Sequence, residues 1–159
     1  MTTYYPIFGI QFLTSIVIYL MLSYLFVFPY LKTKPRHTAL TILILPHLVR
    51  HLGMTLLAKG VVVGDNLNQS FATSTAIGDY ISMTLATLSI LSLHKNWKIA
   101  IPTVWSFNII GLSDIILAAI KGIKYQVLTD LGPQWYTIAF VVPLLTVSHI
   151  LTFILLTKK

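Results

Sequence analysis

Five long apolar runs, separated by short polar or basic stretches, organise this chain of 159 residues. The first extends over about 7–30 and closes at Pro29, ahead of Lys32, Lys34, Arg36 and His37. The second, about 38–58, is apolar except at His47, Arg50 and His51, with Pro46 near its middle. After a polar stretch from Lys59 to Thr75 comes a third run, about 76–93, which ends on His94, Lys95, Asn96, Trp97 and Lys98. A fourth, about 99–120, carries Pro102 in its first turn, where a missing amide donor costs least. A loop with Lys121, Lys124, Asp130, Gly132 and Pro133 leads to the fifth, about 135–157, which ends on Lys158 and Lys159. A helix needs roughly 20 apolar residues to cross a bilayer. The pattern therefore predicts an all-α, polytopic integral membrane protein, a bundle of five transmembrane helices forming a single domain over 1–159.

Composition supports that prediction and removes alternatives. Hydrophobic residues make up 56% of the chain and charged residues 9%, and the mean hydropathy is +0.83, far from the balance of a water-soluble domain. Eleven Lys or Arg against four Asp and no Glu give +7. In a soluble protein that excess suggests nucleic acid, but here the basic residues sit between apolar runs, so the expected partner is the lipid bilayer and not nucleic acid. Lys32, Lys34, Arg36, Lys95, Lys98, Lys158 and Lys159 fall on one side, and Lys59, Lys121 and Lys124 on the other. The positive-inside rule then places the amino terminus outside and the carboxyl terminus in the cytoplasm, in a plasma membrane of bacterial type. Tyr4, Tyr5, Tyr30, Trp97, Trp135 and Tyr136 fit the aromatic belts of such a topology. The first nine residues have no basic segment of the signal-peptide kind, so the first helix is expected to be retained. The absence of cysteine excludes disulfides, thiolate metal sites and haem attached through thioethers.

The informative residues are the polar ones inside the spans. Ionisable groups there are costly and usually face the bundle interior, pair with one another or line a functional path. They are His47, Arg50 and His51 on the second helix, Asp79 on the third, Asp114 on the fourth and His149 on the fifth, joined by the amide of Asn108. At 100° per residue, His47, Arg50 and His51 share an arc of about 100°, and Asn108, Gly111 and Asp114 one of about 120°. Gly78, Ser82 and Ala86 form a small-residue stripe that favours close helix packing, with Asp79 at its edge. Counting rise from the basic turns puts His47, Asn108 and His149 roughly 12 to 14 Å deep and Arg50, His51, Asp79 and Asp114 roughly 18 to 24 Å deep. Two polar layers drawn from four helices are thus expected. Pro46 and Pro143 should each kink a helix and free a carbonyl one turn earlier.

Two aspartates against one arginine leave a negative charge that a proton, a metal ion or a cationic ligand would balance. Three functional classes follow. In the first, His47, His51, Asp79, Asp114 and His149 bind zinc or iron, because imidazole with carboxylate suits those metals and histidines at i and i+4 can share a centre. Haem would use His47 or His51 with His149. A metal-dependent enzyme acting on a lipid or small apolar substrate would use Arg50 to hold an anionic group, with Asp79, Asp114 and Asn108 orienting or acting as base. In the second class the same groups form a proton relay or a proton-coupled carrier of a small solute, one that an oligomer would complete. In the third, Arg50, Asp79 and Asp114 form a buried ion-pair network that only holds helices together. Motifs of the common soluble enzymes, GxSxG, HExxH, the P-loop and the dinucleotide fingerprint, are absent. His37 and His94 are expected at the lipid headgroups, Trp105 in packing, and the hydroxyls of Ser82, Thr84, Ser113 and Ser148 on backbone carbonyls. The two longer loops are expected to cap a cavity above the charged layer.

Overall fold

A computed structural model describes residues 4–58, 60–62 and 67–158. Lys59 and Lys159, both used in the charge count, lie outside the described residues. Five helices are long and apolar enough to cross a membrane: α1 (Tyr4–Lys32), α2 (Arg36–Leu57), α3 (Gln69–His94), α4 (Ala100–Lys124) and α5 (Gln134–Thr157). They run up and down, as bonds between their ends require. Arg36 at the start of α2 donates to the Leu156 carbonyl at the end of α5 over 2.9 Å. At the opposite end Trp135 of α5 donates to Gln11 of α1 over 2.7 Å, and Gln134 donates to Thr55 of α2. The end bearing Lys32, Lys34 and Arg36 is called the basic end below, and the other the loop end.

The helices mostly extend past the expected spans, most of all at the start of α3. The Asn68 side chain accepts from the Phe71 amide at 3.1 Å, an N-cap that starts α3 within the stretch read as polar loop. At the basic end Asn96 adopts φ 51°, a left-handed conformation asparagine tolerates, and the Trp97 amide returns to the Ser92 carbonyl to close α3.

Three prolines coincide with three departures from α geometry. A π-helical segment, Ser23–Val27, ends two residues before Pro29, and another, Thr137–Val141, ends two residues before Pro143. Proline donates no amide and its ring crowds the carbonyl four residues earlier, so widening the turn there relieves both faults. Pro46 has the opposite effect on α2. The helix is α over Arg36–Ile44 and then tightens into a 3-10 helix over Leu45–Leu57. The Leu43 carbonyl, three residues before a proline that cannot donate to it, instead accepts the hydroxyl of Ser148 on α5. That contact answers the expected free carbonyl.

Apolar side chains pack in three clusters, the smallest of which, Leu31, Ala39 and Leu43, joins α1 to α2. At the basic end Leu40, Ile44, Val104 and Phe107 are fully buried with Ala86 and Leu93. At the loop end Leu56, Leu67, Phe71, Val127 and Leu131 close the bundle, the last two supplied by the α4–α5 connection. The apolar window of α1 is only 6% buried, against 28–39% in the other four helices, so α1 is peripheral and α2 to α5 enclose the interior. The polar layers lie between the basic-end cluster of Leu40 and Phe107 and the loop-end cluster of Phe71 and Leu131.

Candidate functional site

The 3-10 geometry of α2 decides which of its side chains enter the interior. In a 3-10 helix, residues three apart eclipse one another, whereas in an α-helix they drift by about 60° per step. The buried residues of this segment are His47, Arg50, Gly53 and Leu56, each three after the last. His51 lies about 120° round from that line. It is exposed, and its Nδ1 donates to the Leu48 carbonyl at 2.8 Å. The expectation that His47 and His51 share one centre is therefore corrected: their spacing converges on an α-helix and diverges on this one.

Arg50 is the hub of the charged layer. Its Nε donates to Asp79 Oδ1 at 2.8 Å, its Nη2 to Asp114 Oδ2 at 2.5 Å, and its Nη1 to the Gly111 carbonyl at 3.1 Å. The guanidinium side chain is 1% exposed, the two aspartate side chains 19% and 15%. Both carboxylates thus turn toward α2. All three guanidinium nitrogens are engaged within the protein, through three of the five N–H donors of Arg50.

Three glycines make this geometry possible. A Cβ on Gly53 would overlap the Asp79 carboxylate, and one on Gly78 the Asp114 carboxylate. A Cβ on Gly111 would stand 2.7 Å from His149 Cε1 and 3.4 Å from Arg50 Nη1. Each aspartate therefore sits against the bare backbone of a neighbouring helix. The small-residue stripe marks Gly78 as a place of close approach, but it shows neither the carboxylate that meets it nor the parts of Gly53 and Gly111. The available signal was proximity in sequence: Gly53 follows Arg50 by three, Gly78 precedes Asp79, and Gly111 precedes Asp114 by three.

The second layer holds His47, Asn108 and His149, all fully buried. Asn108 Nδ2 donates to the His149 carbonyl at 3.1 Å, which turns Asn108 Oδ1 toward His149 Nδ1 at 2.7 Å. That oxygen can only accept, so the proton resides on Nδ1 and Nε2 presents its lone pair. The His47 ring lies 4.2 Å from that of His149, centroid to centroid, and meets Phe107 edge-on at 4.8 Å. Among the described residues, His149 Nε2 and both ring nitrogens of His47 have no hydrogen-bond partner. Buried polar atoms are rarely left so. Ser82 Oγ is likewise buried and unpartnered, against the expected backbone bond, whereas Thr84 bonds to the Tyr80 carbonyl at 2.9 Å as expected.

The expected metal centre does not form. Among the described residues, no group of three or more His, Asp or Glu stands close enough to hold an ion. Asp79 and Asp114 are drawn to Arg50, and His51 is turned out. The pair His47 and His149 does not fit haem on spacing. Two axial nitrogens each about 2 Å from a metal stand about 4 Å apart, with their ring centres farther still, whereas the centres of His47 and His149 are 4.2 Å apart.

Elsewhere, Trp105 packs against Phe153 with ring centroids at 5.6 Å, the packing role foreseen. No curated protein and no solved structure matches the chain. Residues 7–157 match the family described as a domain of unknown function (DUF8737), and the chain belongs to that family.

Proposed function

We propose that the protein is a multi-pass membrane protein, amino terminus outside and carboxyl terminus cytoplasmic, whose two buried polar layers hold and relay a proton. The observation that carries this reading is a charge imbalance beside bare imidazoles. One guanidinium faces two carboxylates, and ring nitrogens without partners occupy the adjoining layer. The surplus negative charge is costly where solvation is poor, and a single proton balances it. Carboxylates and imidazoles are the side chains that carry protons in membrane pathways. Asp79 and Asp114 are the members of the site that reach the bundle surface, so they serve as the entry. His149 and His47 receive, and the proton then passes Phe107, Ile44 and Val104, the apolar step between the histidines and the basic end. No bond of a substrate need be made or broken.

Vesicles of bacterial-type lipid with a trapped pH indicator test this reading. After an imposed pH step, protein-containing vesicles should equilibrate several-fold faster than empty ones, and Asp114→Asn should return the rate to that of empty vesicles. Equal rates for wild type and empty vesicles would refute it.

A second reading is supported by Arg50 itself, whose three nitrogens are all engaged and whose two partners are seated against glycine. On that reading the layer is a structural clamp joining α2, α3 and α4. It is distinguished by Asp79→Asn, Asp114→Asn protein that melts at lower temperature while the wild type shows no proton flux above empty vesicles.

A further inference from the structure

The basic end carries a separate feature. A cleft of about 650 Å³ opens between the first turns of α2 and the last turn of α3, within the roughly 300–1,000 Å³ of small-molecule sites. Its wall is of two kinds. Ile42, Ile90 and Leu93 supply an apolar side, and Arg36, His37 and His94 a cationic and imidazole side. The His37 ring is positioned by a 2.9 Å bond from Nδ1 to Asn96 Oδ1, and Arg36 by its bond to the Leu156 carbonyl.

Among the described residues, Lys32, Lys34, Arg36, Lys95, Lys98 and Lys158 lie at this end and no aspartate or glutamate side chain does. Asp79 and Asp114 are committed to Arg50, and Asp130 belongs to the connection between α4 and α5. Lys32 and Lys158 lie over the Phe28 ring, at 4.8 and 4.5 Å, and Lys34 over Tyr30 at 4.6 Å, so these three are held on α1 and Arg36 is left as the cation of the cleft.

We infer that this cleft binds the phosphate of an anionic membrane lipid, with Arg36, His37 and His94 on the phosphate and the first part of an acyl chain along Ile42, Ile90 and Leu93. A guanidinium forms paired, charge-assisted bonds to phosphate oxygens, and basic pockets at the cytoplasmic face suit such headgroups. The apolar wall is what a lipid uses and a free phosphate ion does not.

The test is thermal unfolding of the purified protein in neutral detergent with added phosphatidylglycerol, phosphatidylcholine of the same chains, or inorganic phosphate. Phosphatidylglycerol should raise the melting temperature by several degrees and saturate near one lipid per chain, and the other two should not. His94→Glu, which leaves the Arg36 and His37 bonds in place, should abolish the shift, whereas Lys98→Glu, outside the cleft, should retain it. Equal loss in both variants would overturn the site in favour of diffuse surface charge. An equal shift with phosphatidylcholine would overturn the phosphate, and one with inorganic phosphate would overturn the lipid.

Discussion

Asn108 and His149 hold each other by two bonds, the amide nitrogen to the carbonyl and the ring Nδ1 to the amide oxygen, so one side chain fixes both the backbone and the proton position of the other. Asn108→Leu removes both at once. It should destabilise the protein by about 1–3 kcal/mol, the cost of leaving a buried polar group unpaired. In nitrogen NMR of histidine-labelled protein, His149 should show a protonated Nδ1 in the wild type and lose that single-tautomer signature in the variant. An unchanged spectrum would contradict the assignment.

Glycine replacement tests the seats of the carboxylates. Alanine in place of a helical glycine ordinarily stabilises by roughly 0.5–1 kcal/mol. Gly53→Ala and Gly78→Ala should do the reverse, because the added carbon meets Asp79 or Asp114, with a cost of about 1–3 kcal/mol for overpacking. Gly9→Ala has nothing within 4 Å, and at Gly122 the nearest atoms are at an ordinary 3.6 Å. Both should be neutral or slightly stabilising in denaturation by a harsher detergent.

Arg50→Lys keeps the charge but loses the fork that reaches Asp79, Asp114 and Gly111 together. It should be destabilising, and Arg50→Ala more so, by up to about 3–5 kcal/mol, because two half-buried carboxylates lose their partner. Adding Asp79→Asn and Asp114→Asn to Arg50→Ala should recover part of the loss. Additive losses in the triple variant would argue against coupling of the three residues.

The register of α2 is tested by its two histidines. His51→Ala, on an exposed side chain bonded only to its own helix, should change stability by no more than about 0.5 kcal/mol and leave proton flux intact. His47→Ala, at a fully buried position between Phe107 and His149, should lower both. The opposite ranking would mean that α2 is α-helical throughout.

Hydropathy made the five spans legible because each is interrupted by residues that resist burial, such as Lys32–Arg36 and His94–Lys98. The grouping of Arg50 with Asp79 and Asp114, and of His47 with Asn108 and His149, was legible from depth, since an ion in apolar surroundings must meet its partner at its own level. The side of His51 was not, because depth counts residues while facing depends on turn angle, and Pro46 changes that angle. Nor was the pairing of Gly53 with Asp79, which is a contact between helices and leaves no trace in the periodicity of either. The polar start of α3 hid its first turns, although Asn68 was the cap that marked them.

The tightened half of α2 also sets how far that helix reaches. A 3-10 helix rises about 2.0 Å per residue where an α-helix rises about 1.5 Å. Over the thirteen residues Leu45–Leu57 the difference is about 6 Å, more than one α-helical turn. At 22 residues α2 has the fewest of the five helices, and the stretch lets it keep pace with its longer neighbours. A relaxation to α geometry would draw the loop end of α2 inward by that distance while rotating it, loosening Arg50 from its carboxylates and swinging His51 toward the interior. Reach and register are thus one property of this segment: the geometry that lengthens α2 is the one that lines up His47, Arg50, Gly53 and Leu56 on the interior.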